Sequence, residues 1–350
     1  MKKKKIAVLH AQIPFLSGGA EILVNSLTEN LIRRGFNAEI VGIPFKWYPT
    51  NSLMDSILAW RTVDLTQTNG EDIDLVIPTK FPTYAVKHPN KVLWLVHQYR
   101  QAYKLSDLVD YGGIHATPEG LQTQKNIINI DNIVLPECKK IYTISQNVAK
   151  QLYQNNEIYS TALYSPPKHV GKYFSNSYEK YIFTVGRLDY LKRNNILIES
   201  MKYCEKDIKA YIAGTGVEME ALKKLAEELG VDDRVKFLGH ISDNDLLEYY
   251  SNASAVYYAP LDEDYGYVTL EAFLSHKPVI TCNDSGGVLE FVEDRKNGYV
   301  CNIEPQQIGQ AMNALCLNPS VASEYGNNGF EAVKGISWDN VVERLTESIR

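Results

Sequence analysis

The stretch Tyr181–Ser200, YIFTVGRLDYLKRNNILIES, decides the fold class. It opens on apolar and β-branched residues, Tyr181–Val185, without polar alternation. It turns at Gly186-Arg187 and takes helical spacing from Asn194 to Tyr203. A short run without alternation reads as a strand buried on both faces, as in a parallel sheet. The helix after it reads as the crossover to the next parallel strand.

The same alternation continues outward. Downstream, the runs Ala210–Ala213, Val235–Leu238, Ala255–Tyr258 and Val279–Thr281 are interleaved with helical patterns at Glu218–Leu229, Asp243–Ser251, Leu270–His276, Gln306–Leu317 and Val321–Val333. Upstream, the runs are Ile6–Leu9, Ala38–Ile43, Leu75–Ile77, Val92–Val96 and Ile141–Ile144, with helices at Ala20–Arg33 and Gln146–Gln154. This predicts an α/β protein with doubly wound parallel sheets. Tyr164-Ser165-Pro166-Pro167 breaks the series, because paired prolines end regular structure. The expected domains are therefore 1–168 and 169–335. A last amphipathic helix in 336–350, with Trp338, Val341, Val342, Leu345 and Ile349 on one side, is expected to pack back on the first domain.

Composition agrees with this division. A chain of 350 residues suits two domains, and 45% apolar with 22% charged residues excludes a disordered or collagen-like chain. A net charge of −6 gives no global drive onto nucleic acid. The five cysteines, at 138, 204, 282, 301 and 316, form no CxxC pair and read as free thiols. The clean apolar runs are about five residues long, against roughly 20 for a spanning helix. Lys2–Lys5 precede the first strand and read as a solvated charge run, with a weak membrane-surface contact as the second reading.

Ligands bind at the carboxyl ends of strands in such folds, so strand-end residues are the candidates. Gly18-Gly19-Ala20-Glu21 enters a helix, where amides approach an anion. Gly186-Arg187 ends a strand, with Lys192-Arg193 beyond it. Cations so placed can grip a diphosphate, Arg as a fork and Lys as a point charge. Glu263 is expected in a loop and Glu271 at the opening of a helix; a carboxylate accepts both hydroxyls of a sugar diol. Gly266 lets loop amides turn toward a ligand. His97 ends the strand Val92–Val96, placed to contact a sugar hydroxyl or transition-state oxygen. Gly239, His240 and Ile241 leave another strand, where backbone groups can meet a base edge. Each feature alone also reads as ordinary turn, cap or surface chemistry.

Together they resemble the retaining, nucleotide-sugar-dependent glycosyltransferases of family 4, which have the GT-B fold. The resemblance rests on Gly18-Gly19-Ala20-Glu21, Val185-Gly186-Arg187-Leu188 with Lys192, and Phe237-Leu238-Gly239. It continues through the E-x7-E motif of Glu263 and Glu271, Lys277-Pro278-Val279-Ile280, and Ser285-Gly286-Gly287 with Glu290. It implies two Rossmann-like domains facing across a deep cleft, acceptor-binding at the N-terminus and nucleotide-sugar-binding at the C-terminus, with closure about Pro166-Pro167. Arg187 and Lys192 would hold the donor diphosphate, with Gly18 and Gly19 amides and Gly186 nearby. Glu263, with the loop through Asp264, Tyr265, Gly266, Tyr267 and Val268, would hold the donor sugar. His97 would touch that sugar, Glu271 would take the ribose diol, and Gly239–Ile241 would cradle the base. No metal or other cofactor is implied, because cationic side chains stabilise the leaving group.

The sequence departs from the family pattern at Asp264, where Gly is usual, and at Tyr265, where Phe is usual. Both bear on sugar identity. The expected acceptor, a glycan or glycolipid, falls on about residues 44–70 and 99–130, where Trp47, Tyr48, Trp60, Tyr99, Tyr103 and Tyr111 either stack on it or pack. The implied setting is the cytoplasm or the inner face of a membrane, in polysaccharide or glycoconjugate biosynthesis. A GT-B-like sugar-nucleotide epimerase and an inactive nucleotide-sugar-binding subunit are the alternatives.

Overall fold

The computed structural model describes residues 2–15, 18–106, 114 and 117–350. The chain divides into two compact units, residues 1–168 with 337–350, and residues 169–336.

Unit one begins with β1 (Lys5–Gln12), α1 (Gly19–Arg33), β2 (Asn37–Pro44) and α2 (Ser52–Thr62). A small hairpin, β3 (Gln67–Thr68) with β4 (Glu71–Asp72), precedes β5 (Leu75–Pro78) and β6 (Val92–Leu95). Then come α3 (Pro118–Val134), β7 (Lys140–Thr143), α4 (Gln146–Asn156) and β8 (Thr161–Ala162). Two three-stranded parallel sheets result, β2-β1-β5 and β6-β7-β8. They adjoin through a bridge between Val76 and Lys91. β1, β5 and β6 are almost wholly buried, as unalternating runs require. Ser145 caps α4, accepting the Val148 N–H at 3.0 Å.

Two helices here escape the sequence pattern. α2 buries Leu53, Ile57 and Trp60. α3 buries Gly120, Thr123, Ile127, Asp131 and Val134. That stripe has helical spacing, but three of its five members are small or polar, so no hydrophobic period is visible. Three of the five described aromatics considered for acceptor contact pack: Trp60 is in the core, and Tyr103 donates its phenol to Asp131 at 2.7 Å. Tyr99 lies half-buried against Phe81, while Trp47 and Tyr48 stay exposed. Tyr111 lies outside the described residues. Lys2 and Lys5 pair with Glu71, and Lys4 with Asp74, so three of the four leading lysines serve the fold's own surface.

Unit two holds β9 (Glu179–Val185), α5 (Asn194–Ser200), β10 (Lys209–Ala213), α6 (Met219–Glu228), β11 (Val235–Gly239) and α7 (Asp243–Asn252). It continues with β12 (Ala253–Tyr257), α8 (Tyr267–Leu274), β13 (Val279–Cys282), β14 (Gly298–Cys301), α9 (Pro305–Cys316) and α10 (Pro319–Val333). All six strands are parallel, in the order β11-β10-β9-β12-β13-β14. Renumbered within the unit this is 3-2-1-4-5-6, the doubly wound nucleotide-binding order. On one face Ile182, Ile212 and Ile280 pack with Leu197, Ile308 and Met312. On the other, aromatics form a layer: Phe183 stacks on Tyr249 at 5.5 Å and meets Tyr250 edge-on at 5.0 Å.

The chain then returns to unit one as α11 (Trp338–Thr346), burying Trp338, Val341, Val342 and Leu345. Trp338 meets Trp94 edge-on at 6.2 Å, and Arg34 pairs with Asp339. No described helix is long and apolar enough to cross a membrane.

Candidate active site

Strand order reverses between β9 and β12, and the crevice outside the carboxyl ends of those strands is where such sheets bind ligands. Gly186 and Arg187 leave β9 there, and Tyr258 to Glu263 leave β12. Lys192, in the short turn before α5, donates to Glu263 Oε2 and, at 3.1 Å, to the phenol of Tyr258. Tyr258 itself donates to Glu263 Oε2 at 2.9 Å. The three groups form a closed triangle with 21% of the Lys192 and 16% of the Glu263 side chain exposed. Burial, the largest single effect, would lower the Lys192 pKa, but the charge of Glu263 together with Tyr258 and the hydrogen bonds to both outweighs it and holds the amine protonated above its ordinary range. Arg187 stands apart, its side chain 75% exposed, with Nε on Asp189 at 2.8 Å.

Arg193 is the strand-end cation that the structure reassigns. Its guanidinium donates to the carbonyls of Ala259 and Pro260, both at 2.8 Å, and forks onto Asp284 at 2.7 and 2.8 Å. It is buried, in the left-handed region at φ 50°. A cation spent on two strand-end segments cannot also grip a diphosphate; it fixes the turn carrying Lys192 against the loop carrying Glu263. Asp284 gives no motif signal of its own, so spacing alone does not reveal this clamp.

The Glu263 loop is stitched to the turn after β13. Gly287 N–H donates to the Glu263 carbonyl at 2.7 Å, and a Cβ at Gly287 would come within 2.5 Å of the Asp264 carbonyl oxygen. Asp264 and Tyr265 are buried, and the Tyr265 ring packs on Phe291 at 5.7 Å and Tyr267 at 5.1 Å. The change from the usual Phe thus falls inside packing. Gly266 starts α8 at φ 86°, and a Cβ there would strike Val288 Cγ2 at 2.9 Å and crowd Tyr258 Cε1 at 3.1 Å.

α8 begins at Tyr267, earlier than its sequence suggests, because Tyr267-Val268-Thr269 reads as strand while the left-handed Gly266 cap sets the start. Glu271 therefore lies in the second turn and does not open the helix. The first-turn amides belong to Tyr267 and Val268, where a helix favours an anion. Glu271 Oε2 accepts the phenol of Tyr250 at 2.7 Å. Gly239 ends β11, and its carbonyl accepts the Gly214 N–H at 2.7 Å; His240 is exposed and Ile241 half-buried.

The remaining candidates belong to unit one. Gly18 precedes α1, and its N–H donates to Glu21 Oε2 at 2.9 Å. Glu21 also meets His10 at 3.3 Å and Lys80 at 3.4 Å. Burial disfavours its charge, but the His10 hydrogen bond and the Lys80 charge bring its pKa down to about 2. Neither His10 nor Lys80 stands out in the sequence as Glu21's partner. His97 follows β6, half-buried, with Nδ1 at 2.6 Å from the Gln98 carbonyl.

Residues 167–332 match the family described as Glycosyl transferases group 1. An uncharacterized glycosyltransferase of Methanocaldococcus jannaschii is 32% identical over 169 residues, which is 47% of this chain and 43% of that protein. The chain spans about half the length of the curated relatives it matches, from 43% to 61% for the first three. Among solved structures, sucrose-phosphate synthase of Thermosynechococcus elongatus superposes with TM-score 0.78 at 17% identity, covering 99% of this chain and 98% of that one. HepE of Anabaena, solved with UDP and glucose, superposes with TM-score 0.71 at 18% identity, covering 99% of each chain. Residues 167–332 thus carry the match to the group 1 glycosyltransferases, and the fold shared with these solved structures is the GT-B architecture of two Rossmann-like domains.

Proposed function

We propose that the chain is a retaining glycosyltransferase that works without a metal. It would move a hexose-type sugar from a UDP- or GDP-linked donor to a glycan, lipid-linked or other glycoconjugate acceptor. The observation that carries this reading is the Lys192–Glu263–Tyr258 triangle at the strand-order reversal of unit two. A protonated amine beside a carboxylate suits a donor whose diphosphate gains charge while its sugar hydroxyls need an acceptor. Lys192 would meet the diphosphate as a point charge and Arg187 as an exposed fork, with the first-turn amides of α8 adding positive ends of dipoles. Glu263 would orient the sugar, Glu271 the ribose diol, and Gly239 to Ile241 the base; Gly18, Gly19 and His97 are the contributions expected from unit one.

In the proposed step the C1–O bond to the diphosphate breaks and its electron pair leaves with the diphosphate. A C1–O bond to the acceptor hydroxyl forms on the same face, and the hydroxyl proton passes to a leaving phosphate oxygen. That HepE was solved with UDP and glucose puts UDP-hexoses first in any panel. The setting implied is polysaccharide or glycoconjugate assembly on the cytoplasmic side.

The test is transfer from UDP- and GDP-hexoses, in chelator, to simple glycosides and lipid-linked glycans, followed by proton NMR at the anomeric carbon. A product with the donor's anomeric configuration is expected. An inverted product overturns retention, abolition by chelator overturns metal independence, and an epimerised donor without transfer favours epimerase chemistry.

A further inference from the structure

The two glutamates of the E-x7-E motif each receive a hydrogen bond from a buried tyrosine. Tyr258 donates to Glu263 at 2.9 Å and Tyr250 donates to Glu271 at 2.7 Å. The tyrosines stand eight positions apart, like the glutamates they serve. They come from different elements, Tyr250 from α7 and Tyr258 from the exit of β12, so the match is not helix periodicity.

Neither phenol is free to wander. Tyr250 is fully buried, its ring edge-on to Phe183 at 5.0 Å and to Tyr173 at 6.3 Å. The Tyr258 ring lies beneath Gly266, close enough that a Cβ there would press on it, and its hydroxyl also accepts from Lys192. A phenol anchored by its ring offers its O–H from a fixed point, which selects one rotamer of the carboxylate it meets.

We propose that Tyr250 and Tyr258 are a matched pair of positioning residues, each aiming one glutamate of the motif at a different part of the donor. This rests on the donor-site reading above. Tyr258 acts through Glu263, beside the reacting sugar, so its loss is felt in turnover. Tyr250 acts through Glu271, at the nucleoside, so its loss is felt in donor affinity. Two tyrosines that only fill the core would give no such split.

The experiment compares Tyr258→Phe and Tyr250→Phe in the full chain, using the nucleotide sugar that the wild type turns over, with calorimetric UDP and GDP binding alongside. Each variant keeps its ring, and far-UV circular dichroism checks the fold. Loss of a hydrogen bond to a charged group should lower kcat by ~10-fold in Tyr258→Phe with donor KM nearly unchanged, and raise donor KM by ~10-fold in Tyr250→Phe with kcat nearly unchanged. Tyr258→Phe added to Glu263→Gln should cost little beyond Glu263→Gln alone, because the two act as one unit. If Tyr250→Phe does not fold, that cycle decides.

Wild-type turnover with unchanged kinetics in both variants overturns the pairing and leaves the donor site standing. So do equal losses of kcat and KM in both, or additivity in the cycle. A wild type that neither turns over nor binds any nucleotide overturns the donor site itself, and the pairing with it.

Discussion

Each unit holds a carboxylate among tyrosine phenols. In unit one Asp131 is fully buried and receives Tyr84 at 2.9 Å, Tyr103 at 2.7 Å and Gln98 at 3.3 Å. In unit two Glu263 stands in a strand-end loop, shares its oxygen between Tyr258 and Lys192, and keeps 16% of its side chain exposed. Burial raises the Asp131 pKa to about 7 despite its three donors, so that carboxyl is about half protonated at neutral pH. At Glu263 a cation sits alongside. A carboxylate enclosed by the protein's own donors ties elements together. One that reaches solvent beside a lysine, at the sheet's order reversal, is placed for a ligand.

The sharpest way to break this contrast is to remove the cation. Lys192→Ala should cut turnover by ~100-fold or more, the scale of losing a main electrostatic contact to a leaving group, with little change in stability. Asp131→Asn should leave turnover near the wild-type value. A reversed ranking in the same steady-state assay would show that unit one carries the chemistry.

The clamp comes next. Arg193→Met leaves Asp284 and two strand-end carbonyls without their donor. It should destabilise unit two by ~3 kcal/mol, the cost of breaking a largely buried pair. Hydrogen exchange on peptides from 169–336 reads this. Protection unchanged from wild type would mean that Arg193 is free to serve a ligand after all.

pH sharpens the contrast, because each unit holds a buried group displaced to about 7 and the signs oppose. Asp131 binds its proton up to about pH 7 when folded, against 3.8 as the ordinary value. The folded state therefore holds more protons between those limits, and unit one loses stability as pH rises from about 4 to about 7. Lys277, buried in unit two, has its pKa lowered to about 7 from 10.5 by desolvation. There the unfolded state holds more protons, so unit two gains stability as pH rises from about 7 to about 10. All four tryptophans, 47, 60, 94 and 338, lie in unit one, so their fluorescence follows that unit's unfolding by itself. Asp131→Asn should flatten the first slope and Lys277→Met the second, the latter read by hydrogen exchange. Slopes that survive both substitutions would assign them to other groups.

The smallest effect expected is at α11. Arg34 meets Asp339 at 2.5 Å, but Asp339 is 85% exposed, so Arg34→Ala should change stability by less than about 1 kcal/mol. Trp338→Ala should cost several times more, since the ring is buried against Trp94. Equal costs in thermal unfolding would mean that the ion pair, not the apolar face, holds this helix.

The fold was legible where buried runs are uniformly apolar. Tyr181–Val185, Val92–Val96 and Val279–Thr281 each coincide with an observed strand to within two residues. α3 was hidden because Gly120, Thr123 and Asp131 occupy its buried stripe, and Asp131 is tolerated there only through partners at positions 84, 98 and 103. α2 carries Leu53, Ile57 and Trp60 at helical spacing, yet its aromatics also read as surface binding groups. The strand-end position of Gly186, Arg187 and Glu263 was readable from the order of runs. The roles of Arg193, Tyr250 and Tyr258 were not, because each depends on a partner brought close only by the parallel sheet. Adjacent cations such as Lys192 and Arg193 look equivalent in sequence, and only the backbone turn between them sends one outward and the other into the clamp.

The most direct test of the account is calorimetric titration of the full chain with UDP-, GDP- and ADP-sugars in chelator, repeated with Lys192→Ala and Arg187→Ala. The account predicts that one nucleotide series binds the wild type and is lost or strongly weakened in both variants. Binding that survives Lys192→Ala unchanged, or no binding of any series, would contradict a donor site at the order reversal of unit two.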